Sequence, residues 1–138
     1  MVLSRAIELR SRFEVDDEAV SALHDSAFGS PGPVMPWSDR LPRFSVSWVG
    51  AFDGAELVGF VHAVWDGGLH AFLLDTAVHP DHQRRGVGAA LVTRLVADAE
   101  AAGCEWLHVD YEPHLRSFYE GACGFGPTRA GLLRLRRE

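Results

Sequence analysis

The sequence of 138 residues has no lysine and no asparagine, only two cysteines, and a formal net charge of −6. This acidic balance argues against a nucleic-acid-binding protein, which needs a basic face. No apolar run approaches the roughly 20 residues that cross a bilayer, and residues 1–12 lack the apolar core of a signal peptide. We therefore expect a soluble cytoplasmic protein that binds neither nucleic acid nor membrane. Its only permanently charged cations are arginines, and any motif that calls for asparagine must use another residue.

The two cysteines indicate neither a disulfide framework nor a metal site. Cys104 and Cys123 have apolar neighbours and lack the CxxC spacing, so we expect two buried free thiols in a reducing compartment. With 47% hydrophobic and 23% charged residues, the composition is that of a folded globular chain. The length fits one domain, residues 1–138.

The apolar pattern alternates between period two and period 3.6, which predicts an α/β (α+β) fold with a mixed sheet and packed helices. Strands are predicted at residues 6–10, 46–52, 57–65, 69–78 and 106–111, with a last pair at residue 125 and residues 131–136. A first helix is predicted between an N-cap at Asp16 or Asp17 and a stop at Gly29, and further helices at residues 86–102 and 113–121. Tight turns make residues 46–78 an antiparallel meander. The prolines of residues 30–43 predict an irregular loop, whose Met35 and Trp37 suggest that it folds back on the protein.

The junction between the strand at 69–78 and the helix at 86–102 has the features of a phosphate-binding loop. Gly86 and Gly88 open the helix and follow Arg84 and Arg85. A helix N-terminus offers unpaired N–H groups and partial positive charge, and small side chains let an anion approach them. The glycine spacing is G-x-G, which makes a nicotinamide-binding loop a weak interpretation. From these residues alone, a glycine-rich connection with two solvated arginines is equally acceptable.

Two segments resemble signatures of the GCN5-related N-acetyltransferase (GNAT) superfamily, including its small uncharacterised bacterial members. Gln83-Arg84-Arg85-Gly86-Val87-Gly88 resembles the Q/R-x-x-G-x-G/A signature, and Val78-His79-Pro80 lies where the family ends its fourth strand. Residues 118–125 resemble the second signature, an aromatic-Tyr pair followed by Gly-Phe. The resemblance covers nearly the whole chain. It implies a mostly antiparallel sheet whose fourth and fifth strands splay apart around acetyl-CoA.

The resemblance also implies which residues hold acetyl-CoA. Backbone groups around the end of the fourth strand would pair with the pantetheine arm, and the N–H of Val78 would face the thioester carbonyl. The N–H groups of the loop would hold the pyrophosphate. The cofactor-binding residues implied in this way are Val78, His79, Pro80, Gln83, Arg84, Arg85, Gly86, Val87, Gly88, Ala89 and His114.

Three residues are catalytic candidates. Tyr119 matches the family position of the general acid, although packing alone is its alternative role. Asp75, an acid within an apolar strand, is the first candidate for the base, and its alternative is a hydrogen bond to a neighbouring strand. Glu112, which replaces the asparagine of many relatives, is a second choice for the base, as is Asp110. His79-x-x-His82 suggests a metal superficially, but we expect none.

The resemblance therefore implies transfer of an acetyl group from acetyl-CoA to a primary amine by direct attack in a ternary complex. The acceptor would be a small-molecule or peptide amine, drawn by acidic side chains near the cleft. The alternative is a non-catalytic acyl-CoA-binding or partner-binding domain with the same fold. A homodimer is possible in either case.

Overall fold

The computed structural model describes residues 6–136. The strands are β1 Ile7–Ser11, β2 Ser45–Asp53, β3 Glu56–Trp65, β4 His70–Val78 and β5 Trp106–His108. The helices are α1 Asp17–Phe28, α2 Trp37–Phe44 and α3 Val87–Ala101. Shorter pieces are the 3₁₀ turns Pro80–His82 and Pro113–Leu115 and the π-helical turn Ser117–Ala122. None of the helices in the described part of the chain is long and apolar enough to cross a membrane.

The five strands form one mixed sheet in the order β1-β2-β3-β4-β5. Strands β1 to β4 pair antiparallel, and β5 runs parallel to β4. The β4–β5 register ends at the pair Phe72–His108, whereas β4 continues to Val78. The two strands therefore separate over the second half of β4, which confirms the expected mixed sheet with splayed fourth and fifth strands.

A β-bulge in β4 accompanies this separation. Between the pairs Phe60–Ala77 and His62–Leu74, β4 advances by one residue more than β3. Asp75 lies in the bulge with a φ of 60°, a left-handed conformation that aspartate tolerates better than bulkier residues do. Bulges bend a strand and redirect its side chains, and the Asp75 side chain contacts His24 on α1 and His62 on β3.

Helices cover both faces of the sheet. On one face α3 packs with the inner residues of the meander, and the buried members of this layer include Val49, Val61, Leu73, Leu91 and Leu95. On the other face α1 and α2 pack together, and this layer includes Val20, Leu23, Trp37, Leu41 and Phe60. Asp16 caps α1 by accepting hydrogen bonds from the Glu18 and Ala19 N–H groups, and Gly29 ends it with a φ of 66°.

Two parts of the predicted organisation are wrong. Residues 30–43 are not wholly irregular, because α2 begins at Trp37 and contains Pro42. Trp37 is buried as expected, but Met35 is exposed. Within the described residues no strand follows β5, so the predicted strand pair at residue 125 and residues 131–136 is absent. The exposed fractions of Leu132 and Leu135 are 91% and 88%, as expected for a segment that packs on nothing.

Three smaller differences concern lengths and burial. β5 ends at His108, short of the predicted residue 111. The helix predicted at 113–121 is divided into a 3₁₀ turn and a π-helical turn. Cys104 and Cys123 are free thiols as expected, but both are partly exposed and not buried.

Candidate active site

The gap between β4 and β5 exposes backbone groups at the end of β4. The His79 N–H donates to the Val58 carbonyl at 2.8 Å, which makes the neighbouring Gly59–Val78 pair a non-hydrogen-bonded one. In such a pair the N–H and C=O point away from the partner strand. The Val78 N–H therefore points away from β3, towards the side from which β5 has separated. The Val78 carbonyl accepts a hydrogen bond from Gln83 Nε2 at 3.0 Å.

The loop after β4 leads into the N-terminus of α3. Gly86 has a φ of 82° and, among the described residues, no side chain caps this helix end. Its first N–H groups remain available to an anion, with the positive end of the helix dipole behind them. The side chains of Arg84 and Arg85 are exposed beside it. This is the chemistry of a phosphate site built from backbone donors and added charge.

Close packing explains the second glycine of the loop. A Cβ at Gly88 would lie 3.2 Å from two ring atoms of Phe118 and 3.7 Å from Val78 Cγ2. The first turn of α3 therefore approaches both the end of β4 and the π-helical turn. Ala89, on the next position, is buried. The residues present fit a phosphate-bearing cofactor laid against this helix end.

Tyr119 is a buried phenol at the base of the gap. Its hydroxyl donates to Thr76 Oγ1 at 3.1 Å, and its ring stacks on Tyr111 with centroids 5.3 Å apart. Burial raises the pKa of Tyr119 above its ordinary value of 10.0, against the opposing effect of the Thr76 hydrogen bond, and Cys123 adds to the increase. The phenol is therefore protonated at neutral pH, which is the form that a proton donor needs.

Asp75 connects two histidines on the other face of the sheet. Its Oδ1 lies 3.0 Å from His24 Nε2 and its Oδ2 lies 2.7 Å from His62 Nε2. His62 is buried, and its Nδ1 lies 3.0 Å from Ser45 Oγ. Burial alone would raise the pKa of Asp75, but the hydrogen bonds from His62 and His24 outweigh it and hold the pKa below 3.8. Asp75 is therefore a carboxylate across the physiological range.

A pocket of about 230 Å³ opens beside this network, between α1, α2 and β4. It is lined by Ser21, His24, Asp25, Pro33, Met35, Trp37, Arg40 and Asp75. His24 was not among the residues expected from the sequence. One signal was present: His24 follows Val20 by four residues, and this spacing places it beside Val20 on the sheet-facing side of α1.

The remaining predicted residues lie apart from these two networks. Glu112 and His114 are exposed where the 3₁₀ turn Pro113–Leu115 begins, and Asp110 is exposed just before it. Within residues 6–136 none of the three side chains takes part in a hydrogen bond to Tyr119 or Asp75. His79 accepts a hydrogen bond from the Asp81 N–H, and His82 contacts Asp53. Across the same described residues no group of three or more potential metal ligands is found.

A sheet that opens between parallel β4 and β5, beside an uncapped helix N-terminus, defines an acyl-CoA-dependent class of transferase fold. The family profile described as "Acetyltransferase (GNAT) family" matches residues 12–125. The chain belongs to this family. The family uses acetyl-CoA as its acyl donor.

Individual relatives agree with this assignment. An uncharacterized N-acetyltransferase ycf52 of Pyropia yezoensis is 33% identical over 66 residues, 48% of this chain and 38% of the relative. The chloroplastic GCN5-related N-acetyltransferase 3 of Arabidopsis thaliana is 29% identical over 119 residues, 86% of this chain and 49% of the relative. The chain thus spans less than half the length of these curated relatives. The aminoglycoside N-acetyltransferase AAC(6')-Iy, solved in complex with CoA, has a TM-score of 0.74 at 18% identity, covering 95% of each chain.

Proposed function

We propose that this protein is an N-acetyltransferase that moves the acetyl group of acetyl-CoA to a primary amine by direct attack in a ternary complex. The observation that carries the proposal is the coincidence of three features at one place. β4 and β5 separate there, the Val78 N–H points away from β3, and the uncapped N-terminus of α3 begins beside it. Family membership adds the acyl donor to this geometry.

The donor side of the site uses backbone more than side chains. Acetyl-CoA supplies the acetyl group as a thioester and carries its negative charge on phosphates. The N–H groups of residues 84–89 would hold the pyrophosphate, and Arg84 and Arg85 would add charge. Val78 would donate its N–H to the carbonyl oxygen as negative charge develops on it. His79, Pro80 and Gln83 would shape the strand end, and Gln83 already holds the Val78 carbonyl. For His114 and Glu112 the cofactor and base assignments stay predictions.

Tyr119 would act as the general acid. When the carbon–sulfur bond of the thioester breaks, its hydroxyl donates the proton that the departing thiolate needs. Because burial raises the pKa of Tyr119 above its ordinary value of 10.0, the hydroxyl retains its proton at neutral pH. The Thr76 hydroxyl holds the phenol in place between proton transfers.

The test is a transfer assay that follows free CoA release over a panel of primary amines. Tyr119→Phe should lower turnover by about 10²-fold, the scale of a lost general acid, and leave acetyl-CoA binding unchanged. Tyr111→Phe is the matched control, since it removes a hydroxyl that bonds to Glu120 from the ring stacked on Tyr119. A wild-type protein that binds acetyl-CoA but acetylates no amine would support the non-catalytic alternative instead. Equal rates for both variants would show that Tyr119 only packs.

The amine acceptor, a homodimer and a cytoplasmic location are further predictions of the sequence. For the location, similarity to a chloroplastic protein of Arabidopsis thaliana makes localisation of a tagged full-length protein the direct check.

A further inference from the structure

We infer that His24, oriented by Asp75, takes the proton from the acceptor amine, and that the amine enters the pocket of about 230 Å³ between α1, α2 and β4. The inference rests on the proposed acetyl transfer. It assigns the base to a residue on α1 and gives Asp75 a positioning role. Four observations carry it.

The first observation is the orientation of the His24 ring. A carboxylate can only accept hydrogen bonds, so the Nε2 atoms of His24 and His62 both carry the protons that they share with Asp75. In the neutral ring of His24 this leaves Nδ1 with its lone pair. The His24 side chain is 31% exposed and lines the pocket. It is therefore an oriented proton acceptor that a solvent-borne amine can approach.

The second observation is that Asp75 is unsuited to be the base itself. Both of its oxygens already accept hydrogen bonds from imidazoles. Its pKa is lowered, so it holds a proton weakly. A carboxylate held beside an imidazole stabilises the imidazolium when it forms. The buried His62, tied to Ser45, anchors the carboxylate from behind.

The third observation is the position of the bulge. Asp75 and Thr76 are consecutive residues of β4, and their side chains reach opposite faces of the sheet. Asp75 contacts His24 on α1, whereas Thr76 contacts Tyr119 in the π-helical turn. His24, the proton acceptor, and Tyr119, the proton donor, therefore lie on opposite sides of the segment Asp75–Thr76 of β4, shortly before Val78. An acyl transfer requires both within reach of one reacting carbon.

The fourth observation concerns the size and charge of the pocket. Among the described residues that line it, the carboxylates are Asp25 and Asp75, and the one arginine is Arg40, which lies 5.1 Å from the centre of the Trp37 ring. This balance favours a cationic guest. Drug-sized ligands occupy pockets of about 300–1,000 Å³, so this volume suits a small primary amine or the amine-bearing end of a larger molecule.

The proton step is simple. The ammonium group of the substrate transfers one proton to His24 Nδ1, which gives a neutral amine and an imidazolium paired with Asp75. The amine nitrogen then forms its bond to the acetyl carbon as the carbon–sulfur bond breaks. Tyr119 protonates the sulfur, and the second proton lost from nitrogen passes to solvent. To complete the cycle, the Tyr119 phenolate takes a proton from solvent and the His24 imidazolium releases its own, so that one proton is set free in each turnover.

The experiment compares His24→Gln, Asp75→Asn and the double variant with the wild-type protein. The probe is the alkylamine that the panel identifies as the best acceptor. We expect each single variant to lower kcat by about 10²-fold, with the KM for acetyl-CoA unchanged. The double variant should lose little more than either single one, because residues that act as a unit are not additive. His70→Gln, an exposed histidine at the far end of β4, is the control and should keep wild-type rates.

A second readout separates proton transfer from simple packing. Hydroxylamine is a weakly basic amine that is already neutral when it binds, so it does not need His24 to remove a proton before attack. With this probe the ratio of the wild-type rate to the His24→Gln rate should therefore fall towards one. The acidic limb of the kcat/KM profile for the alkylamine should also change in His24→Gln. The charged and titratable groups around His24 are Asp75 on β4, which it contacts, and Asp25 on α1 and Arg40 on α2, which line the same pocket. His62 on β3 contacts the other oxygen of Asp75.

The outcomes are distinct. Wild-type rates in a folded His24→Gln variant, or an equal loss with hydroxylamine and alkylamine, would overturn the inference and leave the proposed function intact. A wild-type protein that acetylates no amine would overturn the proposed function, and the inference with it. If the melting curve shows that His24→Gln is unfolded, Asp75→Asn is the test variant, and the same outcomes apply to it.

Discussion

A carboxylate that accepts hydrogen bonds through both oxygens is fixed in orientation, and Asp75 reaches this state only because the bulge of β4 turns it towards α1. Its φ of 60° limits which residues can replace it. Asparagine tolerates this conformation and a β-branched residue does not. We expect Asp75→Val to lower the free energy of unfolding by about 2–4 kcal/mol, from backbone strain and lost hydrogen bonds. Asp75→Asn should lose clearly less, as measured by urea denaturation.

The lowered pKa of Asp75 also predicts how stability depends on pH. Because the folded pKa lies below the ordinary 3.8, the folded state favours the ionised carboxylate. Its contribution is fully present above about pH 4 and is lost as the pH falls through the folded pKa. The wild-type protein should therefore lose more stability than Asp75→Asn between pH 5 and pH 2. Parallel urea titrations at several pH values measure this, and equal losses would contradict the assignment.

Among the secondary-structure elements, α3 lies close to β3 because Gly59 has no side chain. A Cβ there would lie 2.9 Å from Leu91 Cδ1 and 3.1 Å from both Ala51 Cβ and Val87 Cγ1. Gly59→Val should therefore destabilise the protein by about 1–3 kcal/mol through overpacking. Gly126→Val is the control, since no heavy atom in the described part of the chain lies within 4 Å of a Cβ at that position. Similar melting temperatures for the two variants would contradict the close approach.

The elements that the sequence predicts well are those whose apolar period is unbroken. The meander, α1 and α3 follow from alternation, caps and glycine stops. α2 does not, because Pro42 suggests a loop, although a proline in the last turn of a short helix removes few hydrogen bonds. The alternating leucines and arginines of residues 131–136 predict a strand, but a pattern of period two does not by itself supply a pairing partner.

Part of the candidate site is predictable from the sequence, and part of it depends on the folded structure. The loop at 83–89 and Tyr119 follow from contiguous motifs. His24 and Asp75 are 51 positions apart, and their contact depends on the bulge, which no local pattern reports.

At the scale of the whole molecule, the net charge of −6 repels an anionic cofactor, and binding must rely on local donors at α3. A ligand that binds only the folded state stabilises it by about 2.7 kcal/mol at 100 times its Kd. For a domain of this size that corresponds to a rise of roughly 10 °C in melting temperature. Acetyl-CoA should produce such a rise in the wild-type protein.

Gly86→Val removes both the left-handed conformation at a φ of 82° and the open approach to the helix end. The variant should melt lower on its own, and the diagnostic quantity is therefore the shift that saturating acetyl-CoA adds to each baseline. We expect most of the shift to disappear in Gly86→Val and to persist in Gly126→Val, measured by differential scanning fluorimetry. Gly86 is not among the residues that line the acceptor pocket. A full shift in Gly86→Val would therefore move the donor site away from α3 without affecting that pocket.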